Sequence, residues 1–270
     1  MSEKDGELLY QYTNIEALAL ILEKRTIRFN SLDKMDDLQE QMSADLKNAA
    51  KFVFISSWTK AQNELIPMWK LYTSLKRGVR IGLPLCPFEK HPATEAEAGK
   101  VIYDNDFKGK DCLIPVSEMT KEKKFYSPEA IDGEIVHGVV YTDAKELLYP
   151  KLQDEENGKI KVPLSKLGKH KNKYWEFQDE VRYRFTVIPF KNMPITKNDL
   201  METAESIYWD KACPPFSYYD MKISDEAYSK MTITLSPDID PGIETAVRAL
   251  QEKYNPNAII IDSALKGLIR

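Results

Sequence analysis

The stretch that most constrains the fold of this chain is an alternating strand preceded by a polar turn, at residues 171–189. From residue 181 onward the apolar side chains fall on one face of a predicted strand, and they are Val181, Tyr183, Phe185 and Val187. The opposite face carries the polar side chains Arg182, Arg184 and Thr186. This period of two predicts a β-strand with one apolar and one polar face.

Acidic side chains stand where the chain enters this strand. Glu176, Asp179 and Glu180 lie close in sequence to Trp175 and to the two arginines of the strand. A carboxylate placed beside an aromatic ring and a guanidinium can be held in a cleft with a fixed orientation. An ordinary ion pair at a solvated strand end would give the same sequence. Both interpretations stay open at this point.

The rest of the chain predicts short strands and unevenly placed helices. Further strands are predicted at residues 8–13, 26–29, 51–59, 78–83, 101–103, 138–141, 231–235 and 258–262. Helices are predicted from residue 15, at 67–72, from 142 to 148, at 199–209 and at 243–254, and residues 33–40 are expected to form a loop that runs into a helix. Because strands and helices do not alternate regularly, the pattern favours an α+β fold with a mixed, largely antiparallel sheet and peripheral helices.

The length of the chain fits one elaborated domain over residues 1–270, although two small domains would fit as well. Between residues 86 and 170 the periodic pattern loosens. We interpret this segment as a variable middle part, or a lid, within a single domain. Hydrophobic residues make up 43% of the chain and charged residues 30%, which is typical of a soluble globular protein.

The overall charge limits the classes of partner. A net charge of −4 argues against bulk attraction to nucleic acid or to an acidic membrane. The densest basic cluster is formed by Lys166, Lys169, Lys171 and Lys173, and it indicates either a local basic groove or a solvated loop. No run approaches the ~20 apolar residues that span a bilayer, so no membrane contact is expected.

Cysteine and histidine usage argues against a metal centre and against a disulfide framework. The cysteines Cys86, Cys112 and Cys213 form no C-x-x-C pair. The histidines His91, His137 and His170 lie far apart without the spacing of metal ligands. The N-terminal residues are charged and lack the apolar core of a signal peptide. Together these features predict a protein of the reducing cytoplasm.

The strand predicted at 51–59 is apolar at its start and polar at its end, where Ser56, Ser57 and Thr59 emerge. Hydroxyls at the end of a buried strand can form part of a binding site on a rigid base. They also commonly cap the turn that follows. A phosphate-binding glycine loop is not predicted, because neither G-x-x-x-x-G-K-[ST] nor G-x-G-x-x-G occurs in the sequence.

Four segments, taken in order, resemble a large family of bacterial domains of unknown function. They are L-Y-Q-Y-T-N-I-E-A-L-A-L-I-L from Leu9, F-I-S-S-W-T from Phe54, M-W-K-L-Y with G-V-R-I-G-L between residues 68 and 83, and W-E-F-Q-D-E-V-R from Trp175. The closing I-T-L-S-P, a helix and a final isoleucine-rich strand fit the same pattern. The resemblance covers most of the chain apart from its middle.

That family in turn resembles the ADP-ribosyltransferase fold, in which NAD lies in a cleft between two small sheets. The resemblance implies three site positions on three strands. The first falls at Gln11 or Tyr12, the second at Ser56 or Ser57, and the third at Glu180 or, as the other choice, Glu176. It therefore implies a split sheet with a site at the point where these strands converge.

One position departs from the family pattern, because Gln11 stands where histidine is common. A glutamine amide can hydrogen-bond a ribose hydroxyl or a carboxamide, but it cannot transfer a proton near neutral pH. Release of nicotinamide needs little acid–base help where a carboxylate stabilises the developing oxocarbenium ion. The chemistry therefore survives this change.

The resemblance implies an NAD-dependent ADP-ribosyltransferase or an NAD glycohydrolase, with NAD as the substrate. Glu180 would stabilise the ribosyl cation, so Glu180→Gln is expected to abolish NAD turnover and to leave the melting temperature nearly unchanged. Arg80 or Arg182 would bind the pyrophosphate, because a planar guanidinium matches phosphate oxygens. The other NAD-binding candidates would position the ribose or stack on the nicotinamide, and they are Gln11, Tyr12, Thr13, Ser56, Ser57 and Trp58.

The setting implied by the resemblance is a bacterial toxin or a phage-defence effector that modifies a protein or nucleic-acid acceptor. A homo-oligomer or a neighbouring regulatory protein would fit that setting. Two alternatives remain. The first is a sensor domain that binds a nucleotide or a protein without catalysis. The second is a metal-dependent nuclease built on the carboxylates Asp36, Asp37, Glu40, Glu176 and Glu180.

Overall fold

The computed structural model describes residues 7–93, 110–156, 159–191 and 196–269, so the predicted strand at 101–103 lies outside the described residues. The strands are Leu8–Asn14 (β1), Thr26–Ser31 (β2), Val53–Thr59 (β3), Gly78–Pro84 (β4), His91–Pro92 (β5), Asp111–Cys112 (β6), Phe125–Tyr126 (β7), Val136–Gly138 (β8), Val140–Thr142 (β9), Asp154–Glu156 (β10), Lys159–Lys161 (β11), His170–Asn172 (β12), Glu180–Thr186 (β13), Ile188–Pro189 (β14), Tyr218–Lys222 (β15), Thr232–Leu235 (β16) and Ile259–Ile261 (β17).

The helices are mostly short and lie around the strands. The α-helices are Ile15–Lys24 (α1), Ile66–Tyr72 (α2), Pro128–Asp132 (α3), Lys145–Leu148 (α4), Lys197–Tyr208 (α5), Asp225–Ser229 (α6) and Pro241–Tyr254 (α7). Short 3₁₀ helices occur at Leu32–Lys34, Ala49–Phe52, Leu164–Lys166 and Lys173–Gln178, and a π-helical turn at Glu118–Glu122. Across the described residues, no helix has the length and apolar composition needed to cross a bilayer.

One large sheet organises the protein. Its strands follow the order β15-β2-β3-β1-β4-β16-β17, and β13 followed by β8 extends from β3. Neighbouring strands in this sheet are antiparallel, apart from the parallel pair β16 and β17. The predicted α+β class with a largely antiparallel sheet is confirmed.

The large sheet divides along one edge of β3. On its other edge β3 pairs over its full length with β13, from Glu180 opposite Thr59 to Thr186 opposite Val53. Two strands share the divided edge of β3. Strand β1 pairs with it only at Thr59, and β2 pairs with it only at residues 54 and 55. The backbone of residues 56–58 therefore faces a gap between β1 and β2.

Strand β13 is buried on both faces. On the apolar face, Tyr183 packs against Trp58 and Phe185 against Phe54, with ring centroids 5.8 and 5.6 Å apart. On the polar face, the Arg182 and Arg184 side chains are each only 1% exposed. The interpretation of this region as a solvated strand end with an ordinary ion pair is therefore wrong.

Two apolar cores lie on opposite faces of β3. The larger core contains the predicted stripe of α1, which consists of Ile15, Leu18, Ile21 and Leu22. The smaller core packs Val53 and Ile55 against Leu32, Leu152 and Leu167. Arg182 and Arg184 lie on this second side, because they pair in register with Ser57 and Ile55. Segments that are distant in sequence thus cover the polar face of β13.

Several local predictions differ from the structure. Residues 33–40 contain the end of the 3₁₀ helix Leu32–Lys34 followed by turns, so the expected run into a helix is wrong. Strand β15 occupies a segment where the pattern predicts no strand. It forms because Tyr219 and Met221 alternate toward the core while the backbone pairs with β2.

Candidate functional site

A cavity of about 300 Å³ opens where β1 and β2 diverge from β3. That volume is at the lower end of the ~300–1,000 Å³ found for small-molecule pockets. Strands β1, β2, β3 and β13 contribute lining residues, as do α2 and the turn that precedes β13. The cavity is therefore built by two segments that are far apart in sequence, within residues 10–72 and 171–182.

Many of the residues that the sequence assigned to a site lie around this cavity. They are Gln11 and Tyr12 from β1, Ser56, Ser57 and Trp58 from β3, and Glu180 and Arg182 from β13. Three predicted residues lie outside the lining. Thr13 pairs with Val79 in the sheet, and Glu176 is exposed on the turn before β13. Arg80 stacks on the ring of Tyr10 at 4.1 Å and donates to the Gln62 carbonyl.

Gln11 bridges the gap in the sheet. Its Nε2 donates to the Ser57 carbonyl oxygen at 3.1 Å and approaches the Ser56 hydroxyl at 3.5 Å. The indole Nε1 of Trp58 donates to the same hydroxyl at 3.0 Å. The Gln11 amide thus satisfies a backbone carbonyl that β1 and β2 leave unpaired, and this fixes the orientation of its amide plane.

A buried ionic network forms one wall of the cavity. The Glu180 carboxylate accepts from Arg182 Nε at 2.6 Å and from Lys171 Nζ at 2.8 Å. Arg182 Nη2 donates to Glu40 at 2.5 Å and to Glu180 at 3.3 Å, and its Nη1 donates to the Gly168 carbonyl at 3.0 Å. All four charged side chains are buried. Two carboxylates and two cations therefore balance inside the protein.

The network moves the pKa values of its two carboxyl groups in opposite directions. Burial alone would raise the pKa of Glu180, but the charges of Arg182 and Lys171 lower it to about 2. Burial raises the pKa of Glu40, and the same two cations offset only part of that rise. Glu180 is therefore held ionised, whereas Glu40 takes up a proton more readily.

The turn before β13 sets which of its side chains reach the cavity. Asn172 caps the 3₁₀ helix Lys173–Gln178 by accepting from the backbone N–H of Tyr174. Asp179 then adopts a left-handed conformation at φ 43°, which redirects the chain into β13. As a result Trp175 and Gln178 line the cavity, while Glu176 points to solvent.

Several cavity residues carry no sequence signal for a site. Tyr72 follows Met68 at i+4 on α2, a spacing typical of core residues. Nε2 of Gln178 donates a hydrogen bond to the phenolic oxygen of Tyr72. Burial, together with the nearby Glu180 charge, raises the pKa of Tyr72 to about 12. Arg28 and Asn30 come from β2, and only the pairing of β2 beside the gap identifies them as lining residues.

The carboxylates of the nuclease hypothesis are only partly assembled. Asp36, Asp37, Glu40 and Glu180 line the cavity, whereas Glu176 does not. Within the described ranges, no group of three or more histidine, cysteine or acidic side chains is arranged to hold a metal ion. The geometry therefore gives this alternative no specific support.

Comparison with protein-family models, with curated proteins and with solved structures finds no match to this chain. The likeness to the bacterial family and to the ADP-ribosyltransferase fold therefore stays a prediction from the sequence.

We expect the protein to lose stability as the pH falls from 4.5 to about 2. The upper limit is the ordinary pKa of a glutamate, and the lower limit is the pKa of Glu180 in the folded protein. A group whose pKa is lowered by folding stabilises the folded state fully above its unfolded pKa, and this contribution disappears as the pH falls through the folded pKa. A shift of this size corresponds to about 3 kcal/mol. Glu40 acts in the opposite sense, because burial raises its pKa, and it offsets part of this contribution.

Melting temperatures measured across this acidic range test the expectation. The wild-type protein should show a steep fall, and Glu180→Gln should show a shallower one, because the substituted amide does not titrate. A fall of equal steepness in both proteins would assign the acid sensitivity to other groups.

Proposed function

We propose that this protein binds NAD in the cavity between β1 and β2 and cleaves the bond between nicotinamide and ribose. One observation carries the proposal: an ionised carboxylate, Glu180, lies in the wall of a cavity that also presents hydroxyls, amides and aromatic rings. Cleavage of an N-glycosidic bond develops positive charge on the ribose, and a fixed negative charge stabilises that transition state.

The hydrogen bonding of Glu180 leaves room for a substrate. A carboxylate offers about four acceptor positions. Arg182 Nε occupies one position on Oε1, and Lys171 Nζ and Arg182 Nη2 approach Oε2. One acceptor position on Oε1 therefore remains for a ribose hydroxyl. The two cations fix the orientation of the carboxylate before the substrate arrives.

The aromatic contacts suggest which rings would stack on nicotinamide. Trp58 is 2% exposed and packs against Tyr183, and the Tyr12 hydroxyl accepts from the Leu65 backbone N–H. Both side chains are therefore already held by contacts within the protein. Tyr72 and Trp175 line the same cavity and are less buried. We assign them, rather than Tyr12 and Trp58, to the nicotinamide ring.

The basic residues at the cavity suggest where the pyrophosphate would lie. Arg182 uses its donors on Glu40, Glu180 and Gly168, and Arg80 lies outside the lining. Arg28 and Lys34 line the cavity and are solvent-accessible, with side chains 43% and 62% exposed. Asp220 orients the Arg28 guanidinium through two hydrogen bonds. We assign the phosphate contacts to these two residues.

A second candidate is a domain that binds a nucleotide without cleaving it. The specific observation that favours it is the pairing of Glu180 with both Lys171 and Arg182, because two adjacent cations reduce the net negative potential at the ribose. The two candidates share one cavity and one ligand class. They differ only in whether nicotinamide is released.

The test is to incubate the purified protein with NAD, with and without EDTA, and to measure both equilibrium binding and released nicotinamide. We expect nicotinamide release that EDTA does not affect, since the proposed chemistry uses a carboxylate and no metal. Binding without release would select the sensor function. Neither binding nor release would overturn both, and release that EDTA abolishes would contradict the carboxylate mechanism.

A further inference from the structure

Glu40 lies next to Glu180 in the cavity, although the two residues are far apart in sequence. It occupies the turn that follows the 3₁₀ helix Leu32–Lys34, it is buried, and it lines the cavity. Its Oε1 accepts from the same Arg182 Nη2 that contacts Glu180, at 2.5 Å from Glu40 and 3.3 Å from Glu180. Because one nitrogen contacts both, the distance between Glu40 Oε1 and Glu180 Oε2 cannot exceed the sum of these two distances.

The proposed reaction needs one proton acceptor. When the C1′–N bond of NAD breaks, its electron pair leaves with nicotinamide, which departs neutral because the ring nitrogen is positively charged in NAD. No proton has to be delivered to this leaving group. The incoming water or acceptor hydroxyl forms the new C1′–O bond and must lose its proton, so a general base assists this half of the reaction.

The cavity offers few groups that suit this task. The Gln11 amide cannot take up a proton near neutral pH. Glu180 has its pKa lowered to about 2 and is a weak base. Asp36 and Asp37 also line the cavity, but neither is buried. Burial raises the pKa of Glu40, which makes it the stronger base of the two carboxylates in the network.

We propose that Glu40 is a second catalytic carboxylate of this site and accepts the proton of the oxygen nucleophile that attacks C1′ of the ribose. The proton passes from the water or acceptor oxygen to Glu40 and from there to solvent, so the carboxylate is regenerated. Glu180 keeps its charge throughout and stabilises the ribosyl cation. Enzymes of glycosyl transfer commonly use two carboxylates that lie close together in space and have separate roles. This inference rests on the proposed NAD chemistry.

The experiment compares nicotinamide release by wild type, Glu40→Gln and Glu40→Asp across a pH series. We expect Glu40→Gln to lower kcat by about 10²–10⁴-fold with little change in KM and to lose the fall in rate at acidic pH. Glu40→Asp, which keeps the carboxylate, should retain that acidic limb and part of the rate. Sodium azide, a nucleophile that carries no proton to lose, should restore release by Glu40→Gln.

Glu129→Gln is the matched control for loss of a buried ionic partner. Glu129 pairs with the buried Arg184 at 3.1 Å but lies outside the cavity lining, so its substitution should cost stability and leave kcat unchanged. Wild-type kcat and an unchanged acidic limb in Glu40→Gln would overturn the role of Glu40 and leave the proposed function standing. If Glu40→Gln released nicotinamide more slowly, azide did not restore the rate and Glu129→Gln showed a similar loss, the role of Glu40 would be structural only. Absence of nicotinamide release by wild type would overturn the proposed function itself.

Discussion

Glu180→Gln is expected to lower NAD turnover by about 10²-fold or more, the loss typical for removal of one preorganised electrostatic contact to a transition state. The amide keeps the shape of the side chain but removes the negative charge that, in the proposed reaction, stabilises the ribosyl cation. NAD binding should change much less, because the amide oxygen still accepts a hydrogen bond from a ribose hydroxyl.

The same substitution is expected to lower the free energy of unfolding by about 3 kcal/mol, because it leaves a buried positive charge without its partner. Arg182 and Lys171 would then share only Glu40. This expectation replaces the one drawn from the sequence, in which the melting temperature stays nearly unchanged. That earlier expectation holds for an exposed carboxylate, whereas the Glu180 side chain is 3% exposed.

Steady-state nicotinamide release and urea denaturation, measured on the same preparations, test both effects. Glu176→Gln is the matched control, since Glu176 is an exposed glutamate just before β13 and outside the cavity. It should match wild type in both measurements. Wild-type turnover in Glu180→Gln would contradict the proposed catalytic role, and unchanged stability would contradict the buried network.

The period-two pattern was enough to predict β13 and the identity of its apolar face. Tyr183 and Phe185 are buried on that face, as alternation requires. The polar face could not be predicted in the same way, because alternation does not say what covers it. Its covering residues include Glu129, Leu152 and side chains of the 32–52 and 164–178 segments, and their position depends on tertiary packing rather than on local sequence.

The family resemblance, rather than strand alternation, implied the site positions on β1, β3 and β13, and neither one could predict the parts of the site that depend on which strands pair. Ser56, Ser57 and Gln11 converge because adjacent strands carry them. Arg80 and Arg182 looked equivalent in sequence as alternating arginines, yet β4 directs Arg80 onto Tyr10 while β13 directs Arg182 into a buried network. The position of Glu40 in the cavity depends on a turn that no helix or strand pattern describes.

Arg182→Met is expected to cause the largest loss of stability, about 3–5 kcal/mol, because it leaves two buried carboxylates to share one ammonium. Glu180 and Glu40 would then face each other with only Lys171 between them, and the Gly168 carbonyl would lose its donor. Methionine roughly fills the space of the removed side chain, so the loss reports charge and hydrogen bonding more than an empty volume.

Urea denaturation of three variants separates this effect from the ordinary cost of losing an arginine. Arg248→Met removes the arginine of an exposed pair with Glu244 and should change stability by at most about 1 kcal/mol. The double variant Arg182→Met with Glu40→Gln removes one charge of each sign and should recover part of the loss, since Glu180 and Lys171 remain as a balanced pair. Two outcomes would contradict this expectation: Arg182→Met as stable as Arg248→Met, or a double variant less stable than Arg182→Met alone. Either outcome would show that charge balance does not hold Glu180 in the cavity wall. The position of that carboxylate in the cavity wall would then need another cause.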